Sequence, residues 1–77
     1  MSKKVVFDYS KLRGKAIEKY GTLKRFADAA GIGRSVLSIK MNNRRPFSQE
    51  EIYRIVILLE IEHETTDYFF TPRVKKS

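Results

Sequence analysis

Apolar residues recur every three or four positions along this chain, in four blocks separated by glycine, proline or helix-capping residues. In the first block Tyr9, Leu12, Ala16, Ile17 and Tyr20 share one helical face, while Lys11, Lys15 and Lys19 share another at i, i+4 spacing. This predicts a helix that follows Asp8 as N-cap and stops at Gly21. Gly14 lies inside it at a cost of about 1 kcal/mol against alanine, which close packing of a neighbour would explain. The second block starts at Thr22, another capping residue, and ends at Gly31, with Leu23, Phe26, Ala27 and Ala30 as its stripe. The third predicts a short helix over 34–42.

The fourth block carries the clearest start signal. Ser48 is followed three positions later by Glu51, the spacing of a capping box, and Phe47 and Ile52 are placed as a hydrophobic staple. Ile52, Ile55, Val56 and Leu59 form its core stripe, and Tyr53 and Ile57 a second apolar patch about 100° away around the helix. A short helical turn is expected over 65–69, and short extended ends over 5–7 and 73–75. The expected fold class is all-α: one domain over 1–77, a compact bundle of four to five short helices, with loose termini at about 1–6 and 75–77.

The third block departs from a purely structural pattern. Advancing about 100° per residue, Arg34, Ser35, Ser38, Ile39 and Asn42 fall within one arc of about 140°. Val36, Leu37, Lys40 and Met41 fill the opposite arc, which faces the core. Lys40 is the misfit there; its stem can follow the core edge while its ammonium reaches solvent or a phosphate. The two short helices, joined by a glycine-containing turn, make a helix-turn-helix. The outward arc offers groups that can pair with guanine, bond other base edges and meet a thymine methyl.

Charge adds to this reading. The chain has a formal net charge of +7, unevenly spread: residues 1–45 hold twelve cations and three anions, residues 46–77 four and six. A basic section beside a near-neutral one suits a polyanion partner. Lys24 and Arg25 stand in the first turn of the second helix and Arg34 in that of the third, against the helix macrodipole. Such placement is explained if those helix starts meet phosphates, with Arg44 and Arg45 in the loop beyond.

The stretch "TLKRFADAAGIGRSVLSIKMNN" resembles the helix-turn-helix of phage Cro and repressor-type regulators, through Thr22, Phe26-Ala27, Gly31, Leu37 and Met41-Asn42. The whole chain is similar to small Cro-like phage or prophage regulators. That resemblance implies a lambda-repressor-like domain that binds a double-stranded DNA operator as a homodimer in the bacterial cytoplasm, the third helix entering the major groove. Arg34, Ser35, Ser38 and Ile39 would then read bases. Thr22, Lys24 and Asn42 would lie near phosphates, and the charge reading adds Arg25, Lys40, Arg44 and Arg45 to them. Where such regulators often carry Gln after the cap of the second helix, this chain has Leu23. The alternative is an antirepressor or modulator that binds a partner phage repressor. Tyr53, Ile57, Tyr68, Phe69, Phe70 and Val74 would supply a dimer or partner surface.

Other classes find little support. Without cysteine, and with the single His63 in the acidic run "EIEHE", no metal site, cofactor or disulfide framework is expected. Ser35 and Ser38 have no companion base, and no strand precedes Gly31-Ile32-Gly33 as a phosphate loop requires, so an enzyme is not expected. No apolar run is long enough to span a bilayer, and the first helix has too modest an apolar face for a membrane surface.

Overall fold

Five helices follow in the order that the spacing predicts: α1 (Ser10–Tyr20), α2 (Leu23–Ala30), α3 (Arg34–Met41), α4 (Gln49–Leu59) and α5 (Thr65–Phe69), with a 3-10 turn over Glu62–Glu64 before α5. The computed structural model describes residues 6–72. No strand forms among the described residues. Phe7 and Pro72 make one isolated antiparallel bridge, and the Asp8 N–H donates to the Thr71 carbonyl at 2.8 Å. The extended ends expected over 5–7 and 73–75 reduce to Phe7, because residue 5 and residues 73–77 lie outside the described residues.

The helix ends follow local chemistry. Thr22 Oγ1 accepts from the Arg25 N–H at 3.1 Å and opens α2. Ser48 Oγ accepts from the Glu51 N–H at 3.1 Å while the Glu51 carboxylate accepts from the Ser48 N–H at 2.8 Å, completing the capping box of α4. Gly21 and Gly31 close α1 and α2 at φ 88° and 71°, a left-handed backbone that strains any side-chain-bearing residue. The start of α1 differs from expectation. Tyr9, not Asp8, occupies the N-cap position and gives no side-chain cap. Asp8 still serves the helix from one residue back, its Oδ1 accepting from the Ser10 N–H at 2.9 Å. Gly14 is exposed, and a Cβ there would meet nothing within 4 Å. Close packing is therefore not its reason, and nothing in the structure explains it.

The core joins Leu12 and Ala16 of α1, Leu23, Phe26, Ala27 and Ala30 of α2, Leu37 of α3, and Ile55, Val56 and Leu59 of α4. Ile17 is the exception on the α1 stripe, at 40% exposure. Tyr9, Phe47 and Phe69 close one end, with Phe69 edge-on to Phe47 at 5.4 Å and Tyr9 edge-on to Phe47 at 5.3 Å between ring centroids. Burial pushes the Tyr9 hydroxyl above its ordinary pKa.

Two residues expected on a binding surface belong to this core instead. Tyr68 and Phe69 are buried, Phe69 at 1% exposure, and the Lys11 ammonium lies over the Tyr68 ring at 4.9 Å. A domain of this size has too little interior to leave two such rings outside.

Two side chains tie distant elements together. Asn43, just past α3, holds φ 65° and grips Phe7 on both sides of its backbone: Oδ1 accepts from the Phe7 N–H and Nδ2 donates to the Phe7 carbonyl, each at 2.9 Å. Arg54 of α4 donates from Nη1 to the Ala30 carbonyl at 2.7 Å, placing a cation on the negative end of the α2 dipole.

Candidate functional site

α2 and α3 form the candidate site. Their connection, Gly31-Ile32-Gly33, is pinned from inside by Ile32, which is buried. The small, fully buried Ala27 and Ala30 line the core side of α2, and Leu37 anchors α3. With Leu37 turned inward, the opposite arc of α3 has Arg34 and Ser35 fully outside and Ser38 and Ile39 half-buried. The expected base-reading set therefore shares one arc, with Ile39 partly withdrawn. Asn42 is the C-cap of α3 and is exposed, but its Nδ2 donates to the Ser38 carbonyl at 2.9 Å.

The residues expected at phosphates divide. Arg25, Arg44 and Arg45 are exposed and hold no side-chain partner among the described residues. Lys24 is exposed but lies 3.4 Å from Asp28, one turn along α2. Thr22 is exposed and spends its hydroxyl oxygen on the cap. Lys40 departs from expectation. It is neither in solvent nor free for a phosphate: its ammonium pairs with the Glu51 carboxylate, and the two side chains are only 11% and 17% exposed. The physical reason is that Lys40 lies on the inward arc, where a buried ammonium needs a counter-charge.

The electrostatics of the helix starts contrast. α4 carries Glu50 and Glu51 in its first turn, as the macrodipole favours, whereas α1, α2 and α3 carry no acid there. Glu51 is itself tuned. Burial alone would raise its carboxyl, but hydrogen bonds from Lys40 and from the Ser48 backbone, with the Lys40 charge, outweigh that and hold it below its ordinary value.

Reading the sequence missed Arg13. It is exposed on α1 and lines a groove of about 300 Å³ together with Arg34, Ser38 and Asn42 of the α3 region. No sequence signal joins positions 13 and 34; only the packing of α1 on the α2–α3 unit does.

A second face lies on α4 and the end of α5. Tyr53 is 70% exposed, with Ile57 one turn later and Phe70 beyond α5 each at 46%. Tyr53 forms the ridge between two shallow apolar depressions. One is lined by Ile52, Val56, Thr65 and Phe70, the other by Arg54, Ile57 and Leu58. Val74, expected on the same surface, lies outside the described residues. No described helix is long and apolar enough to cross a membrane.

These features are those of a small, compact, all-helical protein. The chain belongs to the DUF739 family, described as a protein of unknown function, whose profile matches residues 5–72. It is similar to the modulator of repression (MOR) of the temperate bacteriophage TP901-1 from Lactococcus lactis, known from a solution structure. The two are 37% identical, with 90% of this chain and 95% of that chain covered and a TM-score of 0.73. No curated protein sequence matches the chain.

Proposed function

We propose that this protein is a phage-type modulator that acts by binding a partner repressor, and that Tyr53 and Ile57 of α4 lead the contact. The observation that carries this reading is Tyr53, a large ring 70% exposed on a helix whose other face is core. Aromatic side chains standing out of a small domain are favoured anchors at interfaces. The similarity to a phage modulator of repression supports the same reading. The surroundings suggest the partner's chemistry. Beside Tyr53 and Ile57 the charged residues are Glu50 and Arg54, which lie 3.8 Å apart and offset each other, so a mainly apolar partner surface suits this face. The test is calorimetric titration with the purified repressor of the same phage or prophage. Tyr53→Ala and Ile57→Ser should each weaken binding tenfold or more with no change in denaturation midpoint. Unchanged affinity would move the partner surface elsewhere.

A second reading, sequence-specific binding of double-stranded DNA through a Cro-like helix-turn-helix, is favoured by one observation. Arg25, Arg34, Arg44 and Arg45 are exposed around α2 and α3 without a partner among the described residues. Such groups are where phosphates and base edges bind. The two readings use different faces and are compatible. If two copies bind DNA together, the face around Tyr53 and Ile57 is also the one that suits their contact, because it lies outside the basic section.

A further inference from the structure

The groove between the start of α1 and α3 is lined by two arginines, one from each helix. Arg13 comes from the first turns of α1 and Arg34 from the start of α3; Ser10, Ser38 and Asn42 add polar groups, over a floor that includes Tyr9, Leu23, Leu37 and Met41. Neither arginine has a side-chain partner among the described residues. The one acid on the rim, Asp8, is engaged by the Ser10 N–H. Two cations against this one carboxylate leave the slot with a net positive charge in the free protein. An anion between them relieves both, and planar guanidinium forks match the oxygens of a phosphate. A carboxylate on a partner protein would suit one fork; a slot edged by two, with Arg44 and Arg45 beyond α3 exposed and without a side-chain partner among the described residues, suits a charged backbone better.

We propose that this groove is a phosphodiester site, in which Arg13 and Arg34 grip one strand of duplex DNA and α1 thereby shares the nucleic-acid interface with α3. This rests on the DNA-binding reading and alters it in one respect: Arg34 is a backbone contact, while Ser35, Ser38 and Ile39 remain for the bases. The groove then sets how α3 lies against the duplex, because it fixes the strand against α1 as well.

The experiment measures binding of a random-sequence duplex by fluorescence anisotropy across a salt series. Each phosphate contact adds about 0.9 to the magnitude of the slope of log K against log salt. Arg13→Ala and Arg34→Ala should each flatten the slope by about that amount, and the double variant by about twice it. Lys19→Ala, which removes a cation held by Glu60 on another part of α1, should leave it unchanged. Both arginines are exposed, so the variants should keep the wild-type denaturation midpoint. Amide shift changes on adding duplex should appear at residues 10–13 as well as on α3. A wild-type slope in Arg13→Ala, or shifts confined to α2 and α3, would overturn the proposal and leave DNA binding standing. Absence of duplex binding by the wild-type protein would sink the DNA reading and this proposal together.

Discussion

Glu51 of α4 meets Lys40 of α3 in a largely buried ion pair while also completing the capping box with Ser48. One carboxylate thus starts α4 and neutralises the single charge on the inward face of α3. The two roles are separable. Glutamine can still accept from the Ser48 N–H but cannot balance the Lys40 charge. Glu51→Gln should therefore cost about 1–3 kcal/mol, between the values for exposed and buried pairs. Adding Lys40→Met should recover part of that loss, because the stranded ammonium is then gone. Additive losses in urea denaturation would show that the pair contributes nothing.

Ser48→Ala tests the cap with the ion pair left in place. Its hydroxyl accepts from the Glu51 N–H, and losing such a cap costs about 0.5–2 kcal/mol. An unchanged midpoint would mean that α4 does not depend on this start.

The acid limb of stability should also report Glu51. Its carboxyl is lower in the folded protein than its ordinary value of 4.5. The folded state therefore binds the proton less readily than the unfolded chain. The contribution is complete above the ordinary value and is lost as pH falls through the lower folded one. Wild-type protein should lose more stability than Glu51→Gln on going from about pH 5 to about pH 3. Parallel pH profiles would remove Glu51 as a source. Glu60, also lowered by its hydrogen bond from Lys19, is fully exposed and remains in both proteins.

Gly14 offers the opposite sign. It is an exposed helix-interior glycine with open space where a Cβ would go. Gly14→Ala should raise stability by about 0.5–1 kcal/mol by restricting the unfolded chain. A lowered melting temperature would show that the position needs glycine for a reason other than space.

Asn43 combines a left-handed backbone with two hydrogen bonds to Phe7. Asn43→Gly loses the bonds but relaxes the backbone, whereas Asn43→Ala loses the bonds and keeps the strain. Alanine should be the worse by roughly 1 kcal/mol, the order of the left-handed penalty for a residue with a Cβ. Equal midpoints would show that the backbone at 43 is free to relax.

Much of the fold was legible in local spacing. The caps at Thr22 and Ser48, the stops at Gly21 and Gly31 and the stripes of α2 and α4 are all short-range relations that a sequence displays directly. The burial of Tyr68 and Phe69 was not legible. In a five-residue helix all sides carry too few residues for periodicity to say which faces inward, and only Tyr9 and Phe47, far away in sequence, decide it. Lys40 looked available because its partner lies eleven positions on and in another helix. Arg13 was hidden for the same reason, since its groove exists only after α1 packs against the α2–α3 unit. The exposed arc of α3 could be read because it is the complement of a buried stripe.

The bridge between Phe7 and Pro72, with Phe69 sealed against Phe47 and Phe47 against Tyr9, bears on the order of assembly during synthesis. The seal at the aromatic end cannot close before Phe69 is made, after α1 to α4. A chain made only as far as α4 holds Tyr9 and Phe47 without their third ring. Synthesis of α5 is thus the event that closes this end of the fold, and a protein cut short before residue 69 lacks not a tail but one wall of its interior.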